Sequence, residues 1–505
     1  MLGWDPKAIS KQLKLNPGSS KSAGWATVEF FESEKAYTQK VKTIAKNYPK
    51  WQQANLAKPI VEFTGEQGPH IVVCAQPQKT GDHGGLLDGS PFGAARDVCA
   101  NLFSILARYG VTGVHVDTTQ LSNEGKRGSV VGMALCLYRF LEAYEPKKYP
   151  PNQFQLHWQD KNFSKKDFNQ AVAIGVSTNL ARHLVNLPAE DLNPLSYCKI
   201  AKALFSNSST MSVEVWTEQR LKKENMGLLL GVGRAAKYPP RLLILRHRPK
   251  AKTAVPLAFV GKGVTFDSGG LDIKPAAGMR LMKKDMGGSA SVMGIAHFVE
   301  QAKIPQACDF YLALAENAIG GDAMRPGDVL QSRAGISVEI GNTDAEGRLV
   351  MADAIDVAVT QKRAPLALID ISTLTGAMRV SLGLDVGGML SNHDPLADKL
   401  LNAGQRAGDN CWRMPLVQSY AETLVSNFAD INNTASSSFG GAITAALFLR
   451  RFVRNVPWAH FDVMAWNVRP TGAIREVGGN GQVVQALALF LEECDNLTKE
   501  LGLKK

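Results

Sequence analysis

The chain of 505 residues is 45% hydrophobic and 20% charged, a balance that is typical of globular proteins and excludes wholesale disorder. It exceeds the length at which one hydrophobic core usually stops growing, so two or three domains are expected. The sequence contains no apolar run of about 18 residues, so no membrane-spanning helix is predicted. The N-terminus lacks a continuous apolar segment, so we expect no secretory signal.

The net charge of +11 is concentrated near the N-terminus. The first 60 residues hold ten lysines and no arginine against four acids, a local excess of +6. A solvated, lysine-rich surface is the favoured interpretation. Nucleic acid is the alternative partner, although the sequence contains no RNP motif, zinc finger or heptad-flanked basic helix to support it.

Cysteine and histidine usage narrows the cell compartment and the kind of metal site. The seven cysteines are scattered, odd in number and without a CxxC pair. This pattern predicts free thiols in a reducing compartment, so we expect a cytoplasmic protein. The absence of HExxH excludes a zincin site. A bound metal would therefore need ligands mainly from carboxylates.

The first third of the chain alternates apolar runs with turn signals. Residues 69–77 and 110–118 predict buried strands, and residues 93–110 and 128–144 carry apolar side chains at helical spacing. This alternation predicts an α/β module.

A polar segment rich in Pro, Lys and Asn follows this module and has little periodicity. We predict a smaller N-terminal α/β domain over 1–150, a linker over 151–167 and a larger C-terminal domain over 168–505.

Strands and helices alternate in the larger domain, which begins with a long amphipathic helix predicted from Asn169 to near Pro188. The strands are rich in Val, Ile and Leu on both faces, which predicts a mostly parallel sheet flanked by helices. Ligands of such sheets gather at the carboxyl ends of the strands. The predicted strands are 241–247, 256–263, 309–317, 365–372 and 458–466, and the helices between them include 289–302 and 440–453.

Two acids stand just before a predicted helix in the segment GNTDAEGRL, residues 341–349. On a regular helix Asp344 and Glu346 would lie on different faces, but on an irregular turn both can converge on a hard divalent cation. Helix capping by Thr343 or Asp344 is an equally good explanation of this segment alone.

A glycine-rich segment, residues 261–288, directly follows a buried strand and adds two acids and two lysines. It lacks GxxxxGK[ST], so the phosphate-loop interpretation is weak. Ion pairing of Lys262 and Lys274 with Asp267 and Asp285 would explain these residues by themselves. Together with the acids of residues 341–349, they suggest a two-metal site.

The segments GKGVTFDSGG, MKKDMGG and NTDAEGRL, in this order and spacing, resemble the signatures of the leucyl aminopeptidase (M17) family of cytosol aminopeptidases. DISTLTGA at 370–377 and the block from Gly440 to Val463 resemble that family as well. The resemblance covers roughly residues 165–495, and NTDAEGRL is close to diagnostic.

The resemblance implies two divalent metal ions per subunit, Zn²⁺ and/or Mn²⁺, with Mg²⁺ and Co²⁺ as further candidates. Asp267 and Glu346 would bridge both ions, Lys262 and Asp285 would complete the tighter site, and Asp344 would complete the exchangeable one. Lys262 would bind as a neutral amine because a neighbouring dication depresses its pKa.

The resemblance also implies the catalytic roles. Lys274 would bind the carbonyl oxygen as it becomes an oxyanion, and Arg348 would hold a bicarbonate that acts as general base. Asp285 would orient the free amine of a peptide while a water held between the ions attacks the carbonyl. The expected activity is release of N-terminal residues, Leu, Met and similar, from peptides by a cytoplasmic homohexamer.

The side-chain pocket is the part of the resemblance with departures from the family pattern. Asp272 stands where the family commonly has a small or hydroxylic residue, and Asn467 lies near the pocket floor, where facing away is its favoured orientation. Met464, where small residues are common, predicts a preference for Leu and Met over the bulkiest aromatics. The residues expected to bind substrate are Lys274, Asp285, Met282, Thr373, Leu374, Gly376 and Met464.

Two alternatives come from other classes of function. One is a structural member of the family with reduced catalysis, and the other is a member that binds nucleic acid through the lysine-rich N-terminal region. All seven expected metal-ligating and catalytic residues are present, which weighs against the first.

Overall fold

The computed structural model describes residues 5–16, 24–48, 58–65, 68–79, 81, 85, 87–141, 154–249, 255–494 and 497–502. Within these ranges the chain forms two large sheets, each accompanied by helices, so the predicted α/β class is confirmed.

The first sheet has six strands, and one edge strand alone runs antiparallel to its neighbour. The strands are β1 (Leu13–Leu15), β2 (Ala26–Phe31), β3 (Ile60–Gly65), β4 (Gly68–Cys74), β5 (Gly113–Gln120) and β6 (Gln155–Trp158). Their spatial order is β1-β6-β5-β2-β4-β3, with β3 antiparallel to β4. The helices of this part are α1 (Pro6–Ser10), α2 (Glu34–Ala45), α3 (Pro91–Asp97), α4 (Cys99–Tyr109) and α5 (Asn123–Leu137).

Small residues on α5 set how closely its neighbour packs. A Cβ at Gly128 would lie 2.1 Å from the carbonyl oxygen of Phe92, and one at Gly132 would lie 2.4 Å from that of Arg96. The two glycines are one helical turn apart on the same face, so α3 can lie against the α5 backbone.

Strand β6 lies inside the range predicted as a linker. It pairs in parallel with both β5 and β1 and belongs to the first sheet. Residues 142–153 lie outside the described residues. The division at 1–150, 151–167 and 168–505 stays a prediction.

The second sheet has eight strands, and its four central strands are parallel. The remaining strands and helices are β7 (Met211–Trp216), β8 (Arg241–His247), β9 (Leu257–Asp267), β10 (Cys308–Asn317), β11 (Val329–Gln331), β12 (Ser337–Glu339), β13 (Leu368–Ser372), β14 (Gly387–Ser391), β15 (Cys411–Arg413), β16 (Ile431–Asn432), β17 (Trp458–Asp462), β18 (Trp466–Asn467), β19 (Gly478–Gly479), α6 (Lys165–Asn186), α7 (Pro194–Leu204), α8 (Glu218–Lys223), α9 (Gly227–Gly233), α10 (Ala276–Met279), α11 (Gly287–Gln301), α12 (Glu346–Val359), α13 (Gly376–Leu382), α14 (Asp394–Ala407), α15 (Gly441–Arg450), α16 (Val484–Glu492) and α17 (Leu497–Glu500).

The spatial order of the second sheet is β15-β14-β17-β13-β9-β10-β8-β7. Strands β17, β13, β9 and β10 are parallel, whereas β8 and β14 run antiparallel to the centre. The carboxyl ends of the four central strands therefore meet at one edge of the sheet, where a ligand site is expected. Two small sheets, β11-β12-β16 and β18-β19, complete the described part of the fold.

Helix α6 differs from the amphipathic helix predicted there. It begins after Ser164, whose side chain accepts a hydrogen bond from the Asp167 backbone N–H, and ends before Leu187. Nearly every residue from Ala171 onward is buried, because α6 packs between α5 on one side and α11 and α16 on the other. The sequence pattern predicts one apolar face for α6, but packing against α5, α11 and α16 buries its polar residues as well.

Among the described helices, none combines the length and the hydropathy that crossing a bilayer requires.

Candidate metal centre and catalytic cavity

Strand β9 presents both Lys262 and Asp267 to the same site, although a regular strand would point residues five apart to opposite faces. The pairing of β9 with β10 shifts register near the end of the strand, between the partners of Ala315 and Asn317. The extra residue in β9 is a β-bulge, a device common beside active sites. It brings the two side chains to one side of the sheet.

Three carboxylates converge at this edge. Asp267, Asp344 and Glu346 each offer an oxygen, and these oxygens lie within 4.8 Å of one another. Glu346 is only 1% exposed. Burial, and then the neighbouring charge of Asp267, raise the pKa of Glu346 to about 8. Such a cluster of buried, mutually repelling oxygens is suited to a hard divalent cation.

Two lysines join the carboxylates. Lys262 Nζ lies 2.6 Å from Asp285 Oδ2 and 2.8 Å from Glu346 Oε1. Lys274 Nζ lies 2.8 Å from Asp267 Oδ2 and also contacts Asp344. Burial disfavours both ammonium groups, but the adjacent carboxylates outweigh it and raise the pKa of each lysine. The ion pairing that the sequence left open as an explanation is therefore part of the structure.

The donor set fits the predicted cations. The carboxylates of Asp267, Asp344 and Glu346 converge on one small volume, and Asp285 lies beside them. The Lys262 nitrogen lies within 2.8 Å of Asp285 and Glu346, so a cation held by these carboxylates could also bind that nitrogen. A dication bound there would replace the attraction that holds the Lys262 proton and would favour the neutral amine. All five predicted ligands, Lys262, Asp267, Asp285, Asp344 and Glu346, lie together.

The first turn of α12 must leave space for Lys262. A Cβ at Gly347 would lie 2.6 Å from both Nζ and Cε of Lys262. A glycine here lets the helix backbone approach the lysine while Glu346 keeps its contact.

Asp285 is fixed from the opposite side by Thr373, whose hydroxyl donates to Asp285 Oδ1 at 2.8 Å. Burial alone would raise the pKa of Asp285, but Lys262 and Lys284 lower it. The carboxylate therefore stays ionised and available to a cation or an amine.

Arg348 is half-buried, and its Nη1 donates to the backbone oxygen of Asn433 at 2.8 Å. Burial lowers its pKa to about 10 against the opposing effect of Glu346. Among the described residues, its Nε has no hydrogen-bond partner. A small anion bound beside Arg348 would accept a hydrogen bond from this Nε.

The site opens into a cavity of about 470 Å³. Asn467 does not line it but accepts a hydrogen bond of 3.0 Å from the side-chain amide of Asn480, so it faces away from the substrate volume. All the residues predicted to bind substrate or act in catalysis line the cavity: Lys274, Arg348, Asp285, Met282, Thr373, Leu374, Gly376 and Met464.

Asp272 connects the two loops that carry the site. Its carboxylate accepts hydrogen bonds from the backbone N–H of Thr343 at 2.7 Å and from the Thr343 hydroxyl at 3.1 Å. The Asp272 backbone N–H donates to the same hydroxyl at 2.8 Å. The glycine-rich loop holding Lys274 is thus joined to the loop holding Asp344.

Sequence analysis missed several supporting residues. Asn317, at the end of β10, donates to Asp267 at 2.9 Å. Asp462, at the end of β17, accepts from the Leu374 backbone at 2.9 Å and shapes the cavity wall. Lys284 also lines the cavity. The strand-end position of Asn317 and Asp462 was the available signal.

The sequence matches a known family of proteins over most of its length. The model of the cytosol aminopeptidase family catalytic domain matches residues 179–488. A probable cytosol aminopeptidase of Rhodopirellula baltica is 42% identical over 65% of this chain and 64% of its own length, slightly under two thirds of that relative. A probable cytosol aminopeptidase of Chelativorans is 40% identical over 78% of this chain and 79% of its own.

Solved structures agree with the sequence comparison. The cytosol aminopeptidase of Coxiella burnetii is 30% identical, covers 96% of this chain and 99% of its own, and has a TM-score of 0.80. The bottromycin maturation enzyme BotP in complex with Mn is 28% identical, with 93% and 99% coverage and a TM-score of 0.81. The chain belongs to the cytosol aminopeptidase family, M17, and the predicted class of enzyme, a peptidase and hence a hydrolase, is confirmed.

Proposed function

We propose that the protein is a metal-dependent aminopeptidase that releases N-terminal residues from peptides. The convergence of Asp267, Asp344 and Glu346, with Asp285 and Lys262 beside them, carries this proposal. The solved relative BotP, described as a complex with Mn, supports Mn²⁺ as a first ion to test. Zn²⁺ is the other, and Mg²⁺ and Co²⁺ remain in the comparison.

Two bound divalent ions would activate water and polarise the scissile carbonyl. Asp285, held by Thr373, orients the free amine of the peptide, which restricts cleavage to the first residue. Lys274, at the cavity wall, donates to the carbonyl oxygen as it gains negative charge. Arg348, with its unmade Nε bond, holds the bicarbonate that serves as general base.

Hydrolysis of leucyl-4-nitroanilide tests the proposal directly. The chelated protein should be inactive and should recover on adding Mn²⁺ or Zn²⁺. Asp344→Ala and Glu346→Ala should abolish turnover because no neighbour replaces either ligand. Near-normal turnover by a folded, metal-loaded Glu346→Ala variant would contradict the assignment.

The same site weighs against a member with reduced catalysis, because the five candidate ligands lie close together. The lysine-rich N-terminal region gives no observation in favour of nucleic-acid binding, and retention on DNA across a salt series would test it. A cytoplasmic location is proposed from the relatives' designation as cytosol enzymes.

We also propose a homohexamer. Among the described residues, the large apolar side chains that are exposed all lie between Leu271 and Val477, and the most exposed are Phe439 at 84%, Val380 at 83% and Phe428 at 79%. Such side chains are typical of surfaces buried by a partner subunit. Light scattering should give six times the 54.6 kDa chain mass, and a monomer mass would contradict the proposal.

A further inference from the structure

Lys284 brings a positive charge to the cavity with no close partner. It lies in the 3₁₀-helix Met282–Met286 and lines the cavity wall. Only 9% of its side chain is exposed. Its Nζ lies 4.0 Å from Asp285 Oδ1, and no other described carboxylate oxygen lies within that distance. The ammonium donates no hydrogen bond to a described residue.

The other lysines around the site are all engaged. Lys262 and Lys274 contact carboxylates at 2.6–2.8 Å. Lys283, the sequence neighbour, donates to the backbone oxygen of Asn186 at 2.7 Å and does not line the cavity. The Lys284 side chain is nine-tenths buried, and its ammonium has no hydrogen-bonded partner among the described residues. Because Lys284 lies at the cavity wall, a negatively charged group of a bound ligand could pair with its ammonium.

The distances suit the side chain of an acidic first residue. If Asp285 orients the free amine, Lys284 Nζ stands 4.0 Å from the orienting oxygen. In Asp and Glu the side-chain carboxylate lies roughly 3–5 Å from the α-nitrogen along standard bond lengths. Arg379, a second cation, lines the same cavity, so a carboxylate bound there would face two positively charged side chains.

We propose that Lys284 recognises peptides whose first residue is Asp or Glu by pairing with the side-chain carboxylate. This inference rests on the proposed aminopeptidase function and widens the predicted Leu and Met preference. Met282 and Met464 supply the apolar wall of the cavity, and Lys284 adds an acid-binding point to it.

Matched pairs of substrates isolate the charge from the shape. We would measure kcat/KM of the Mn²⁺-loaded protein for Glu and Gln 4-nitroanilides, and for Asp and Asn. The parent should favour each acid over its amide. In Lys284→Met the acid-to-amide ratio should fall roughly 10- to 100-fold, as expected for a charge-assisted hydrogen bond, mainly through KM. Lys284→Arg should keep a ratio above one.

Lys283→Met is the matched control, since it removes the same charge one residue away and outside the cavity. Its ratio should equal that of the parent. A parent ratio of one or less, an unchanged ratio in Lys284→Met, or an equal fall in Lys283→Met would overturn the inference. Ratios taken within each variant cancel differences in folded fraction, and Lys284→Gln replaces the Met variant if that one does not fold. Failure of the proposed function itself would instead show as no hydrolysis of the leucyl substrate by the parent.

Discussion

Gly347→Ala should disable the metal centre without removing any ligand. The added methyl would lie 2.6 Å from Nζ and Cε of Lys262 and 2.9 Å from its Cδ. Ordinary carbon contacts are about 3.5–4.0 Å, so the overlap is about 1 Å. Lys262 is 3% exposed and lies between Asp285 and Glu346, so moving aside would take its nitrogen away from these two carboxylates.

Two opposing effects set the free energy of unfolding of the Gly347→Ala variant. In an ordinary helix, replacing glycine by alanine stabilises by roughly 0.5–1 kcal/mol. Overpacking of a tight site costs roughly 1–3 kcal/mol, so the variant should fold with a small net loss. Displacing Lys262, itself a proposed ligand, should weaken metal affinity by at least the roughly 10- to 100-fold that loss of an outer-shell partner causes. Activity at limiting metal should fall by the same factor.

Calorimetric titration with Mn²⁺, beside the kcat of the loaded protein, measures both effects. Gly321→Ala serves as the control, because nothing lies within 4 Å of a Cβ there. If Gly347→Ala binds Mn²⁺ and turns over as the parent does, then Lys262 does not take part in holding the ion.

Three further outcomes follow from the structure. Lys274→Ala should keep its metal but lose roughly 2.7–4 kcal/mol of transition-state stabilisation; loss of the ion, measured by metal analysis, would show a different role. Met464→Ala should raise the Phe-to-Leu ratio of kcat/KM by a factor corresponding to roughly 1–3 kcal/mol, and an unchanged ratio would place Met464 outside the side-chain pocket. His297 is buried, which lowers its pKa to about 4, while an unfolded histidine titrates near 6.5. Because the unfolded chain then binds the extra proton, stability should fall by roughly 3 kcal/mol as pH drops from about 6.5 to 4, and urea unfolding of His297→Gln should lack this loss.

Most residues of the candidate site could be predicted because they lie close together in two short segments of the sequence. Asp344 and Glu346 lie two residues apart, and Lys262 and Asp267 five apart, so the sequence alone shows the unusual density of charge. What brings Lys262 and Asp267 together is a bulge in β9. This one-residue shift in register depends on how β9 pairs with β10, so the local sequence of β9 does not predict it.

Supporting contacts between distant segments were less accessible. Asp462 and Leu374 are 88 positions apart, yet their hydrogen bond shapes the cavity wall. Burial of α6 on both sides depends likewise on helices from two parts of the chain. Periodicity records which face of an element is apolar, whereas partners across the fold decide how much else is covered.

The hydrogen bonds between Asp272 and Thr343 constrain how this protein can vary over evolutionary time. Each side chain satisfies the other, so a change at one position leaves donors or acceptors unmatched at the second. Residues in direct contact are energetically coupled, and their substitutions do not add. Variation at one position is therefore felt at the other. In a double-mutant cycle of Asp272→Ala and Thr343→Val, the loss of unfolding free energy in the double mutant should be smaller than the sum of the two single losses.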